Sequence, residues 1–325
     1  MELKFAHADK PLVCVLGGTG FVGQHLASRL VEAGYQVRVP SRRRERHREM
    51  MVLPGVDLIQ ANVHDTTDLR GLTAGCSAVI NLVAILNEER RGDFRRVHEE
   101  LPVKIIHACR ESGVTRLLHM SALNADAEKA PSQYLRSKGA GEDRIHAAEG
   151  LEATSFRPSI IFGPGDHFFT HFAKLLRMAP VFIPLACPNS RFAPIYVGDL
   201  VDIMVTALEE RETMGQRYDL CGPRSYTLLQ LLEFTNQVIK TNRQIIELSD
   251  GLSRLQAKIM EKLPGKLFTT DNYLSLQVDS VCRGELPGLF DVELHAIEEI
   301  VPGYLLNQTH TGRLDQYRHV ARHEY

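Results

Sequence analysis

Residues 12–34 read "LVCVLGGTGFVGQHLASRLVEAG", and this stretch decides the fold. Its opening, "LVCVLGG" (12–18), is an apolar run of the kind that forms a buried strand. Glycines then turn the chain into a segment whose Phe21, Val22, Leu26 and Leu30 keep helical spacing, with Gly34 as its C-terminal cap. Gly17, Gly20 and Gly23 fall at G-x-x-G-x-x-G spacing across the turn. Strand, glycine turn and helix in that order form a dinucleotide-binding unit. Gly17 permits the tight turn, Gly20 lets the backbone approach a pyrophosphate, and Gly23 lets the helix lie close to the sheet. Thr19, Phe21 and Val22 complete the turn and the first helical N–H groups, where the positive dipole end suits a phosphate.

Further strands are expected at 35–40, 56–61, 77–85, 114–122 and 151–158, with helices across 94–113 and 134–150. Alternating strands and helices separated by glycine turns imply an α/β fold, a Rossmann-type doubly wound parallel sheet covered on both faces. The pattern changes after residue 160, where prolines and aromatics cluster. A strand at 192–197 and a helix at 198–210 follow, and the chain then reads as mainly helical to about 266. The expected organisation is a dinucleotide-binding domain over 11–160 and a smaller C-terminal substrate or partner lobe over 161–305. That lobe is partly interleaved with late strands of the first domain, and a polar tail occupies 306–325.

Composition excludes several classes. A formal net charge of −2 gives no overall attraction to nucleic acid, and the basic run 42–48 lacks the interleaved aromatics that stack on bases. Six cysteines form no C-x-x-C, and their spacing suggests no disulfide framework, which points to a reduced, cytoplasmic setting. "HEELP" (98–102) lacks the second histidine of a zinc motif, so no metal is expected. "VINLVAIL" (79–86) is far short of the ~20 residues a membrane helix needs, and "MELKFAHADKP" carries no apolar signal region.

The end of the second strand selects the cofactor. An acid there would bind a ribose 2′-hydroxyl, whereas an arginine suits a 2′-phosphate. Here Ser41 and Arg42 stand in place of the acid, with Arg43 beside them, so NADP(H) is favoured over NAD(H). Asn62 and Val63, ending the third strand, are candidates for the adenine. Val83 and Ala84, ending the fourth, either line the cofactor or pack the strand end. Pro158 and Ile160 either lie against the nicotinamide or form a strand-ending turn. Asp166 and His167 read better as a loop turn than as substrate contacts, and Arg191 is a candidate for an anionic substrate. Asp199 reads better as a helix cap than as a ligand contact.

"YLRSK" (134–138) puts Tyr134 and Lys138 four residues apart, on one face of a helix. These pieces in this order resemble the short-chain dehydrogenase/reductase superfamily, in its extended or atypical, epimerase/dehydratase-like branch. "YLRSKGAGED", "IFGPGDHFFTHFA", "FIPL", "PIYVGDL" and "GPRSYTLLQLL" carry a narrower likeness. They resemble the family of NAD(P)H-binding accessory subunits of respiratory complex I and their bacterial relatives. The superfamily resemblance implies Tyr134 as general acid/base and Lys138 as a ribose ligand that lowers the tyrosine pKa. It also implies a strand-end hydroxyl that orients substrate, here Ser121 unless Ala122 takes that register. The narrower resemblance implies a held NADPH, with an accessory or assembly role and no established turnover.

Three readings of the pair stand open: a ribose clamp, a catalytic pair completed by Ser121, or an ordinary exposed helix pair. The leading functional expectation is an NADP(H)-binding accessory or assembly factor of the respiratory NADH–quinone system. The alternative is an active reductase, epimerase or dehydratase on a nucleotide-sugar, isoprenoid or quinone-pathway substrate. A redox-sensing regulator is a minor third. Residues 251–268 carry an apolar stripe beside Arg254, Lys258, Lys262 and Lys266. The favoured reading buries that stripe in the lobe. The other lays a basic amphipathic helix on a membrane surface, at the inner face of the cytoplasmic membrane, or on a partner.

Overall fold

In the computed structural model, which describes residues 11–263, 266 and 268–307, strand β1 (Leu12–Leu16) enters helix α1 (Phe21–Glu32) through the glycine turn. There follow β2 (Gln36–Ser41), α2 (Arg48–Met51), β3 (Val56–Gln60), α3 (Thr66–Thr73) and β4 (Ala78–Asn81). A π-helical stretch, Arg95–Glu100, leads into α4 (Leu101–Ser112), then β5 (Arg116–Met120), α5 (Gln133–His146) and β6 (Glu152–Pro158). The later chain forms β7 (Ile161–Phe162), α6 (Phe169–Met178), β8 (Phe182–Leu185), β9 (Arg191–Phe192), β10 (Ile195–Tyr196) and α7 (Val197–Glu209). It ends with β11 (Arg217–Leu220), β12 (Tyr226–Thr227), α8 (Leu228–Val238), β13 (Gln244–Glu247), α9 (Asp250–Met260), α10 (Thr270–Ser275) and α11 (Ile297–Asn307). The N-terminal stretch before residue 11 and the tail beyond 307 lie outside the described residues.

The main sheet has seven strands in the order β11-β6-β5-β4-β1-β2-β3. β1 pairs in parallel with both β2 and β4, β2 with β3, β4 with β5, and β5 with β6. The chain therefore starts mid-sheet, runs to one edge through β3, and resumes on the other side of β1. That reversal is the switch point outside which open α/β sheets bind ligands, at the carboxyl ends of the strands. β4 and β5 are buried along their whole length, which is why they read as apolar runs rather than as alternating ones.

The described residues fall into two compact units. The first comprises those within Met1–Lys129, Arg136–Arg157 and Val201–Tyr218; the second comprises those within Ala130–Leu135, Pro158–Leu200 and Asp219–Tyr325. The first unit's core joins Leu16, Leu69, Leu101, Ile105 and Leu117. The second packs Phe162, Phe169, Leu231, Val301 and Leu305.

Several expectations change. The strand expected over 77–85 ends at Asn81, whose side-chain oxygen accepts the Val83 N–H at 3.2 Å and turns the chain out of the sheet. The strand expected at 192–197 is split into β9 and β10, which join different small sheets; Pro194, without an N–H, separates them. β11 lies in a region read as helical. Its sequence, "RYDL", has no apolar run, as befits an edge position. Cys221 and Cys282 form a disulfide across 61 residues, a pairing that no local spacing announces.

The largest reversal concerns α9. Its buried face is made by Ser253 and Ala257, while Leu252, Leu255, Ile259 and the following Leu263 are each more than half exposed. Ser253 Oγ accepts the Cys187 N–H at 3.1 Å, which draws the small-residue face inward and turns the aliphatic stripe out. Among the described residues, no helix is long and apolar enough to cross a membrane.

Candidate functional site

The glycine turn is built as its spacing requires. Gly17 has φ +84°, and a Cβ there would come within 3.1 Å of the Leu82 carbonyl carbon, so the turn lies close to the exit of β4. At Gly23 a Cβ would overlap the Gly17 carbonyl oxygen and lie 2.5 Å from Gly18 Cα. Gly20 is the N-cap of α1, without a side-chain cap bond, and the first turn (Phe21, Val22, Gly23) holds no acid to oppose an anion. Thr19 is half-buried beside it.

β2 neighbours β1, so the end of β2 stands next to this turn. Ser41 is buried there, and its Oγ accepts the Arg43 N–H at 3.3 Å. Arg42 and Arg43 are exposed. The end of β3 joins them through the Ala61 N–H, which donates to the Ser41 carbonyl at 3.1 Å. Asn62 is exposed and shapes a local turn, its Oδ1 accepting the His64 N–H at 3.2 Å; Val63 is half-buried. Val83 is half-buried and Ala84 exposed.

Lys138 is almost fully buried on α5, and its Nζ donates to the Met120 carbonyl at 2.5 Å, at the end of β5. Burial lowers its pKa to about 8, against the opposing effect of Glu142. Glu142 is itself buried one turn further along, ion-paired with Arg157 at 2.8 Å and Arg217 at 2.7 Å, and so anchors α5. Ser121 continues the strand pairing, its N–H donating to the Phe156 carbonyl at 2.7 Å. Its Oγ is buried with no hydrogen-bond partner among the described residues. An orphaned hydroxyl of this kind is a group awaiting a ligand or a water. Ala122, next in line, offers no such group.

Tyr134, Pro158 and Ile160 belong to the second unit. Tyr134 is the second residue of α5, and burial raises its phenol pKa to about 12. Pro158 ends β6, and the Ile160 carbonyl accepts the Ile195 N–H at 2.8 Å. Asp166 is consumed structurally: it accepts the Tyr304 O–H at 2.7 Å and the Thr170 N–H at 3.0 Å, whereas His167 is exposed. Arg191 reaches Ser225 Oγ at 3.0 Å. Asp199 accepts both the N–H and Nδ1–H of His295, at 2.8 and 2.7 Å, and raises the imidazole pKa.

Sequence reasoning missed a buried polar chain in the first unit. The Ile85 N–H donates to His98 Nε2 at 3.1 Å, which leaves Nδ1–H to donate to Ser137 Oγ at 2.8 Å. His98 thus ties the segment after β4 to α5, and burial lowers its pKa to about 3. Beside it, the Asn81 amide and His119 Nδ1 meet at 3.2 Å. Ser137 lies inside "YLRSK" and His98 inside "HEELP". A π-helical stretch holds His98, and such stretches often mark functional positions.

Comparison with known proteins agrees with this architecture. A mouse protein, "NADH dehydrogenase [ubiquinone] 1 alpha subcomplex subunit 9, mitochondrial", is 30% identical over 86% of this chain and 74% of its own length. A "Ceramide reductase" of Caulobacter vibrioides is 32% identical over 74% of each chain. A crystal structure of a nucleoside-diphosphate-sugar epimerase from Staphylococcus aureus superposes with a TM-score of 0.67 at 16% identity, over 88% of this chain and 98% of that one; it attests the fold. The model of the NAD dependent epimerase/dehydratase family matches residues 13–221, from β1 to the residue that follows β11. With the glycine turn, the β1/β4 reversal and the lysine helix inside that span, the chain belongs to the NAD dependent epimerase/dehydratase family.

Proposed function

We propose that the protein binds NADP(H) and serves as an accessory or assembly factor of the respiratory NADH–quinone system, at the inner face of the cytoplasmic membrane. The cofactor part rests on the end of β2, where Ser41 and the exposed Arg42 stand in place of a ribose-binding acid. The turn suits a pyrophosphate: Gly20 opens α1 with no side chain and no acid in the first turn, and side chains at Gly17 and Gly23 would strike backbone and spoil the turn's shape. Thr19, Gly20, Phe21 and Val22 would flank the phosphates, and Arg42 and Arg43 the 2′-phosphate. Asn62 and Val63 would meet the adenine. Val83, Ala84, Pro158 and Ile160 would meet the nicotinamide half, and Lys138 the ribose. Once bound, the dinucleotide can donate or accept a hydride; the residues named bind and orient it.

The system is suggested by the name of the mouse relative. A docking face is suggested by α9, where Leu252, Leu255, Ile259 and Leu263 stand exposed beside Arg254, Lys258 and Lys262. An apolar ridge with a basic flank suits an anionic bilayer surface. Titration with NADPH and NADH tests the cofactor: NADPH should bind more tightly, and Arg42→Ala should erase the difference. Equal affinities in the wild type, or none, would remove this reading. For the surface, phosphatidylglycerol vesicles should retain the wild type but neither Leu255→Glu nor Lys258→Glu. Retention by a respiratory-complex subunit, with none on vesicles, would replace the bilayer with a protein partner.

A second reading, an active NADP-dependent reductase, epimerase or dehydratase, is favoured by the orphaned Ser121 hydroxyl. In it Ser121 holds the substrate oxygen and Tyr134 moves the proton, on a nucleotide-sugar, isoprenoid or quinone-pathway substrate. Turnover across such a panel should vanish in Tyr134→Phe; turnover that survives would discard the mechanism.

A further inference from the structure

The first turn of α5 is capped from a distant part of the chain. Asp271, in α10, accepts the Gln133 N–H on one carboxylate oxygen at 2.6 Å and the Tyr134 N–H on the other at 3.0 Å. Ser132 supplies a local cap, its Oγ accepting the Leu135 N–H at 3.2 Å. At the far end of α10, Ser275 bonds Ser132 Oγ at 2.8 Å. All these residues belong to the second unit.

The placement of Tyr134 gives this cap its weight. First-turn amides have no intrahelical acceptor, and helix ends fray. Lys138 lies a turn further in and is held by the Met120 carbonyl as well. A carboxylate at the first turn satisfies two amide donors and faces the positive end of the helix dipole.

Asp271 is itself held in place. A reciprocal capping box between Thr269 and Asn272 starts α10. Beyond α10 the chain is zipped along β9. Ser190 Oγ donates to the Leu276 carbonyl at 2.7 Å, the Ser280 N–H to the Arg191 carbonyl at 2.8 Å, and the Ala193 N–H to the Ser280 carbonyl at 3.0 Å. Ser159 Oγ also donates to the Ser280 carbonyl, at 2.7 Å. Two residues on, Cys282 is covalently joined to Cys221.

We propose that Asp271 is a positioning residue for Tyr134, and that the strap from Thr269 to Cys282 keeps its carboxylate on the tyrosine-bearing turn. This deepens the second reading above and rests on it for the role of Tyr134 as the group that moves the proton. It predicts a local effect, confined to one turn of one helix.

The test compares the full-length wild type, Asp271→Asn and Asp271→Ala by amide hydrogen exchange and by NMR of ring-labelled tyrosine. Tyr134→Phe assigns the Tyr134 resonance. In Asp271→Ala the Gln133 and Tyr134 amides should exchange about tenfold faster. The Tyr134 phenol should titrate below its starting value of about 12, towards the ordinary ~10, while amides of β1 and β4 keep their protection. Asp271→Asn retains one acceptor oxygen and should fall between the two. Unchanged exchange and titration in Asp271→Ala would overturn the proposal. So would an acceleration shared equally by β1 and β4, which would mark general destabilisation. NADPH titration of the same samples separates the two readings: a wild type that binds no NADPH would defeat the cofactor reading and leave the exchange result standing.

Discussion

Lys138 Nζ donates to the Met120 carbonyl at 2.5 Å, directly before the buried hydroxyl of Ser121, which has no hydrogen-bond partner among the described residues. The contact pins the lysine at the end of β5 but supplies no negative charge. Its ammonium is therefore penalised, and its pKa falls to about 8. Below pH 8 both the folded and unfolded chains carry the proton, and the burial penalty is fully present. Between pH 8 and the ordinary lysine value near ~10.4, the folded chain releases a proton that the unfolded chain keeps, so stability rises with pH. Lys138→Met should lose that rise, as measured by urea unfolding from pH 7.5 to 10. The same variant should bind NADPH about tenfold more weakly, because it lacks the ribose donor.

Gly23→Ala probes the turn without touching a charge. The added methyl would meet Gly17 and Gly18 backbone, which cannot rotate away as a side chain could. α1 would have to move off the sheet, at a cost of about 1–3 kcal/mol. The measurements are thermal unfolding and binding of 2′,5′-ADP, which reports the adenosine half of the site, from the phosphate turn to the 2′-phosphate, without the nicotinamide. The expected outcome is a lower Tm with binding lost; a variant that binds normally would show that the turn does not contact the phosphates.

Reading the sequence located what local chemistry encodes. Gly17, Gly20 and Gly23 sit on the turn, and the run of β1 through β6 follows apolar strands that declare themselves. It failed where partners come from far away. "RYDL" becomes β11 only because β6 lies beside it. Leu252, Leu255 and Ile259 fit an ordinary buried stripe by spacing alone, and only the packing of Ser253 and Ala257 turns them outward. His98 was weighed as a zinc ligand and dismissed; its actual bonds to Ile85 and Ser137 cross 13 and 39 residues.

Cys221–Cys282 should be a measurable stabiliser. Closing a loop of 61 residues restricts the unfolded chain, with an expected contribution of about 2–4 kcal/mol. Urea unfolding with and without a dithiol reductant, and of the Cys221→Ser/Cys282→Ser double variant, measures it. Reductant should lower the midpoint of the wild type to that of the variant and leave the variant unmoved. Two free thiols in the isolated protein, counted by alkylation and mass spectrometry, would contradict the pairing.

His98 makes a prediction at acid pH. Its ring is neutral in the fold because one nitrogen accepts from Ile85 and the other donates to Ser137 in a buried site, and its pKa falls to about 3. An unfolded histidine titrates near ~6.5. Between those values the unfolded chain binds a proton that the folded chain refuses, so stability falls as the pH drops from 6.5 towards 3. His119, also buried and also pushed down, adds a second loss of the same sign. His98→Gln keeps an acceptor and a donor but cannot be protonated. At pH 7 it should be less stable than the wild type, since the amide reaches both partners poorly. As the pH is lowered to 4 the gap should narrow, because only the wild type carries the proton penalty at residue 98. A gap that stays constant across denaturant unfolding at pH 7, 6, 5 and 4 would mean that His98 is charged in the fold or open to water.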